Sequence, residues 1–500
     1  MSGLAAAPAR RLTERVNPIL VKEVRQALRG RYFRVMFWLT LGVATLAGLL
    51  VVADAASSQD VEEIGQPFFL VMFACMSAAV HAFVPFSAFL STSAEWDENT
   101  HDLLVLSNLG PRQIVTGKLF SALTQALLYY STFGPFLVFA FLLNGIDLLT
   151  ISVLLVCSLA ACVGLSLVGI ALASLARVKA ARGLLMAMFG AALVMTWGGS
   201  IGAAGELASS PQDLRDPEGQ LAVVFFLTAA LFLGGLFGII AAARFAHEEE
   251  NRSTGLRLLS LGLVVLAGAW GAWLRAQFGD EEFAWGTQVG AASMLLLLWL
   301  FFLTERDTLG RRTAAHLPAR RGLALCLVPI LPGGGRAVWL FLVHFLGALL
   351  GARVALEFGA TKPGDALEAS AMVAAFYGYA FVYLALPTGI ASFVVRSERA
   401  RVFVRVTTLV LFPVAILGPA LVGLLLGIED WMKLRHPLNP IWVMDELEGS
   451  ARDQAGLTLA LSGLMLGVLL TLALNAKRML AGVGEVLAAS RARRAREQRA

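Results

Sequence analysis

Apolar residues along this chain come in runs of about 20, broken by short polar stretches. The runs lack the period-two alternation of a half-buried strand and the wide polar stripe of a surface helix. A run of about 20 apolar residues is the length needed to cross a bilayer as a helix, in which every backbone polar group is satisfied internally. Twelve such spans are read, near 35–53, 67–91, 119–143, 148–175, 183–202, 220–243, 258–276, 284–303, 337–356, 369–394, 406–427 and 456–476. The third and fourth are joined by a tight polar turn, Asn144-Gly145-Ile146-Asp147. In the fifth, Trp197-Gly198-Gly199 and neighbouring small residues suit a broken or re-entrant segment. The pattern predicts an all-α polytopic membrane protein. It has an N-terminal segment 1–34, six spans over 35–243, six more over 244–476 and a basic tail 477–500.

Composition narrows the class further. Of 500 residues, 58% are hydrophobic and 15% charged, with mean hydropathy +0.73. Soluble domains run near half apolar and about a quarter charged, so a soluble enzyme, a disordered chain and a collagen-like chain are excluded as the main body. Net charge is +5, yet the basic residues flank the apolar runs, as topology and lipid headgroups require. No basic run is interleaved with stacking aromatics outside the spans, so no nucleic-acid partner is expected. With both termini placed inside, only Arg215, Arg275, Arg353, Lys362, Lys433, Arg435 and Arg452 of the 40 Lys and Arg fall outside. That asymmetry predicts two cytoplasmic termini and an even number of spans. The Arg-rich first 34 residues lack a cleavable apolar core, so no secretory signal is expected.

Two polar segments carry the chemistry. From Asn17 to Arg34 the spacing is that of an amphipathic interfacial helix. Asn17 can cap it and Pro18 suits its first turn. Leu20, Val24, Ala27 and Leu28 form one stripe, and Lys22, Glu23, Arg25, Gln26 and Arg29 the other. Residues 92–118 predict a short cytoplasmic helix opened by Glu95, Asp97 and Glu98, which suit a helix N-terminus. It continues through Thr100, Leu103, Leu104 and Leu106 and stops at Ser107-Asn108 and Gly110-Pro111. A new helix from Arg112 to Lys118 then runs into the third span. The leucines of the short helix make an apolar face outside any span, and such a face needs a partner.

The segment resembles the coupling region of type-2 ATP-binding-cassette (ABC) export permeases. The resemblance lies in Glu98-Asn99-Thr100, Leu103-Leu104, Ser107 with Gly110-Pro111-Arg112, and Ile114-Val115 followed by Gly117-Lys118. The opening Asn17-Pro18-Ile19-Leu20-Val21-Lys22-Glu23 is similar to the elbow helix of that family. The resemblance covers about the first six spans. It implies a permease subunit in a bacterial cytoplasmic (inner) membrane, working as a homodimer or with a related permease and contacting lipid. It also implies a separate cytoplasmic ABC ATPase, which would bind ATP-Mg in place of any cofactor on this chain. Glu95, Glu98, Asn99, Thr100, Leu103, Leu104, Leu106, Ser107, Pro111 and Arg112 would face that ATPase. Asn17, Pro18, Lys22, Glu23 and Arg25 would belong to the elbow.

Other motifs exclude more than they suggest. From Gly110 to Lys118 six residues separate the two glycines where a phosphate loop has four, and Leu119 follows the lysine instead of Ser or Thr. No loop is large enough for a nucleotide-binding domain, so the chain is not expected to be an enzyme. His247-Glu248-Glu249-Glu250-Asn251 has Asn where a zinc-protease helix needs its second His. Glu95, Asp97, Glu98, His101 and Asp102 in one short stretch enforce no cation geometry, and no metal is expected. Cys75, Cys157, Cys162 and Cys326 lack metal or disulfide spacing and read as small fillers. His81 and His344 lie within spans and read as neutral residues bonded to neighbouring helices. No Asp, Glu, Lys or Arg falls near the centre of a span, which weakens an ion-coupled mechanism. The second half repeats neither an elbow nor a coupling segment. An ATPase-independent carrier or channel, and an integral-membrane scaffold, stay open beside the exporter reading.

Overall fold

Helices are the only regular structure among the described residues, because the apolar runs offer no solvated edge on which a sheet could end. The computed structural model describes residues 18–58, 64–98, 110–143, 146–175, 179–246, 250–360, 362, 364–394, 439–448 and 454–498, with short pieces between 404 and 427. Eleven helices in this set are long and apolar enough to cross a membrane. The span read at 406–427 lies largely outside the described residues. The chain divides into two compact units, Met1–His247 and Glu248–Ala500.

In the first unit, α1 (Pro18–Arg29) precedes α2 (Arg31–Ser58), α3 (Gly65–Ser77), α4 (Val84–Asp97), α5 (Pro111–Leu142), α6 (Leu148–Leu175), α7 (Lys179–Ser209) and α8 (Pro217–Phe245). Helices α3 and α4 are one span joined by a π-helical turn, Ala78–Phe83. Pro85 explains the turn. It cannot donate to the carbonyl of His81, and its ring crowds that oxygen, so the preceding turn widens. Asp147 caps α6 through the Thr150 N–H at 3.3 Å. The core runs through Phe69, Phe73, Met76, Tyr129 and Phe133 and is backed by α6. Helix α6 packs on both α4 and α8.

Helix α7 corrects one expectation. Trp197-Gly198-Gly199 forms no break or re-entrant loop, and the helix runs unbroken from Lys179 to Ser209. The indole of Trp197 donates to the Ala74 carbonyl at 3.0 Å, which anchors the glycine stretch to α3.

The second unit contains α9 (Thr254–Phe278), α10 (Glu282–Leu303), α11 (Arg311–Ala315), α12 (Arg321–Cys326), α13 (Gly334–Leu356), α14 (Asp365–Val394), α15 (Pro440–Glu448) and α16 (Gln454–Glu497). Helix α9 packs between α10 and α13, and α14 packs against α16. Residues 477–500, read as a tail, instead continue the last span as helix up to Glu497. Val483, Val486 and Ala489 give this extension an apolar stripe, which covers Leu317, Ala324, Val328 and Leu331 of the preceding loop. A stripe at helical spacing with a surface to bury is enough to extend a helix past the span.

Candidate functional site

The site is built where α1 meets the two ends of the undescribed segment 99–109. Helix α1 has the expected faces. Leu20, Val24, Ala27 and Leu28 are half-buried, and Lys22, Arg25, Gln26 and Arg29 are exposed. Glu23 departs from its stripe and is buried against α5. There the Lys118 ammonium lies 3.4 Å from Glu23 and 2.9 Å from Glu95, with its side chain 1% exposed. Lys22, half-exposed, adds contacts of 3.6 Å to Glu95 and 3.8 Å to Glu23. Two carboxylates and two ammonium groups thus share one partly dry pocket. A cavity of about 230 Å³ adjoins them, with Gln26, Ser87 and Gln125 on its wall.

This arrangement corrects a second expectation. Glu95 and Asp97 do not open a short helix; they stand in the last turn of α4, and Glu98 is its C-cap. Carboxylates are unfavourable at the negative end of a helix dipole, so they need cations brought from elsewhere. Lys118 and Lys22 serve Glu95, and Arg182 from the first turn of α7 pairs with Asp97. Between them, Trp96 packs tilted against Phe245 with ring centroids 6.1 Å apart, and the Arg244 guanidinium lies 6.0 Å from the Trp96 ring. The far end of the segment is equally fixed. Gly110 caps α5 by donating its N–H to the Gln113 side chain at 3.0 Å, Pro111 takes the first helical position, and Arg112 is exposed. Helix α5 then runs straight into the third span, as its sequence predicts.

Of the predicted site residues, the fold brings together Lys22, Glu23 and Glu95 and leaves Arg25, Glu98 and Arg112 on the surface. Pro18 starts α1. Asn17, Asn99, Thr100, Leu103, Leu104, Leu106 and Ser107 lie outside the described residues, as do His101 and Asp102. The sequence places Lys118 in a helix start and in the Gly117-Lys118 pair of the resemblance, and the fold adds its burial between two carboxylates. Its signal was a lysine four residues after Ile114, on the buried side of α5, where a charge requires an acid partner.

The second unit has its own charged lock. Arg257, fully buried, contacts Glu305 at 2.6 Å and donates to the carbonyls of Pro329, Leu331 and Gly333 at 3.1, 2.6 and 3.0 Å. Arg336 reaches Glu485 at 3.1 Å and the Asp307 carbonyl at 2.8 Å, and Arg478 meets the Asp307 carboxylate at 2.9 Å. Together they hold the Pro332-Gly333-Gly334-Gly335 turn against α16. These guanidinium groups are spent on protein partners, so the cluster is a clamp rather than an anion site.

Both span histidines are bonded to neighbouring helices, as read. The ring of His81 lies between Ser158 Oγ at 2.9 Å and Ser200 Oγ at 3.2 Å. Trp299 Nε1 donates to His344 Nδ1 at 3.0 Å, so the His344 proton belongs on Nε2, 3.0 Å from Ser260 Oγ. His344→Phe removes the acceptor from a buried indole. It is expected to cost about 1–3 kcal/mol in thermal unfolding of the purified chain. Among the described residues, no group of three His, Cys, Asp or Glu side chains could hold a metal ion.

Comparison with protein-family models, curated proteins and solved structures finds no match. The functional reading therefore rests on residues and geometry.

Proposed function

We propose that the chain is the membrane-spanning permease subunit of an ATP-driven exporter of the type-2 ABC kind. In this reading a separate cytoplasmic ATPase docks on the segment between Glu98 and Gly110. Both termini are cytoplasmic, α1 is the interfacial elbow, and the membrane is a bacterial cytoplasmic one. The observation that carries the reading is the buried Glu23–Lys118–Glu95 cluster. It ties an amphipathic N-terminal helix to the spans on both sides of the apolar Leu103-Leu104 stretch. A segment clamped at both ends transmits a push: displacement by a closing ATPase moves α1, α4 and α5 together instead of being lost in a slack loop. Asp97–Arg182 and Trp96–Phe245 extend the same linkage to α7 and α8. The motor belongs on another chain, since the sequence has no phosphate loop.

The test is co-expression with candidate ABC ATPases of the same genome, followed by size-exclusion chromatography in detergent and assay of vanadate-sensitive ATP hydrolysis. An ATPase is expected to co-elute with the wild-type chain and to be lost from Leu103→Asp/Leu104→Asp at unchanged elution volume of the permease. No co-eluting ATPase, or one that the double variant retains, sinks the proposal and favours a carrier or scaffold.

A further inference from the structure

The first unit carries a second, half-open space, separate from the charge cluster. It is a cavity of about 810 Å³, walled by α3, the π-turn, α6, α7 and the start of α8. Arg182, beside Asp97, stands near the start of α7 and Glu206 near its end, so this cavity's mouth lies at the other end of that helix. Its wall is mostly apolar, with Phe73, Leu154, Leu207 and Phe226 among the lining residues. Two features break that surface. Deep inside, His81 bridges Ser158 and Ser200, on the one turn of the span that is π-helical. At the mouth stand Glu206, Asp213, Asp216 and Glu218. Among the described residues none of these four carboxylates makes an ion pair, and Arg215 of the same turn does not line the cavity. Ser200 and Glu206 are six residues apart on α7, which puts the acidic mouth roughly 9 Å along the helix from the histidine.

We infer that this cavity binds a lipophilic cation, with its charge at the acidic mouth and its apolar body against the aromatic and leucine wall. The argument is charge complementarity. An anionic headgroup would be repelled by four carboxylates, and a ligand without a cationic group would gain nothing from them. A cation with an apolar body satisfies both the mouth, where Glu206, Asp216 and Glu218 are exposed and Asp213 is half-buried, and the apolar wall. The His81–Ser158–Ser200 set offers a hydrogen-bonding group to any polar atom deeper in the ligand. Gly199 leaves room for such a body, because an added Cβ there would meet no atom within 4 Å. Under the exporter reading such a cation is cargo, but its binding requires no ATPase.

The test is equilibrium binding of radiolabelled tetraphenylphosphonium to the purified full chain in maltoside detergent, with tetraphenylborate as the anion of equal bulk. Saturable binding of the cation and none of the anion is expected. Two variants probe the two halves of the site at unchanged melting temperature. Glu206→Gln/Asp216→Asn/Glu218→Gln removes charge from the mouth and is expected to weaken binding about tenfold or more. Gly199→Leu fills the cavity without touching the mouth and is expected to abolish binding. Absence of saturable binding, equal binding of both ions, or wild-type affinity in either variant overturns the inference. Because no ATPase is present in the assay, each of these outcomes is distinct from failure of the coupling proposal.

Discussion

Lys118→Met is expected to destabilise the first unit by about 3–5 kcal/mol, as removal of one partner from a buried ion pair does. Methionine preserves most of the side-chain volume, so the loss is electrostatic. Glu23 and Glu95, both buried, would then face each other without the ammonium between them, and half-exposed Lys22 would compensate in part. Lys22 places the effect toward the lower end of that range. In a unit of this size each kcal/mol moves the melting temperature by about 2–4 °C, so a fall of roughly 10 °C is expected in detergent. Neutralising the acids as well distinguishes charge from packing. Glu23→Gln/Glu95→Gln/Lys118→Met should recover most of the loss, because a neutral trio has no unpaired charge to bury. An unchanged melting temperature in the single variant would mean that the cluster is solvated and cannot act as a rigid link.

Gly335→Ala is expected to disrupt the second unit by about 3 kcal/mol or more. The added methyl group would fall against the Arg478 carbonyl, which is α16 backbone and cannot rotate away. Helices α13 and α16 would have to separate. Asp307 is held to both by the Gly335 N–H at 2.7 Å and the Arg478 guanidinium at 2.9 Å, so the arginine clamp opens with them. Gly484→Ala is the control. It lies on α16, the helix that Gly335 meets, with nothing within 4 Å of the new methyl, and replaces a poor helix former with the best. Fluorescence-detected size-exclusion chromatography after graded heating should therefore place Gly335→Ala well below wild type and Gly484→Ala at or above it. Coincident curves for the two variants would show that the helices do not approach as closely as described.

Residues legible from spacing and residues legible only from packing differ in kind. The faces of α1 could be read because an interface sorts apolar from charged positions at helical period, and Leu20, Val24, Arg25 and Arg29 follow that rule. Glu23 breaks it, since its environment is set by Lys118, 95 residues away in sequence. The acids of α4 misled for the same reason. Three carboxylates before a polar stretch look like a helix start, and only cations from α1, α5 and α7 make a helix end tolerable there. Trp197-Gly198-Gly199 suggested a break because glycine lowers helix propensity. In the bilayer an open backbone would cost several kcal/mol per unpaired group, so the helix is kept despite its glycines.

What the sequence determined by itself was the class: apolar runs of one bilayer's length can only be helices, because backbone satisfaction in lipid acts on each segment separately. What the tertiary structure alone decided was which charges are buried together. Lys118 with Glu23 and Glu95, and Arg257 with Glu305, are pairings across long stretches of chain. The energy of such a pair depends on separation and local dielectric, and neither is encoded by any single run of residues.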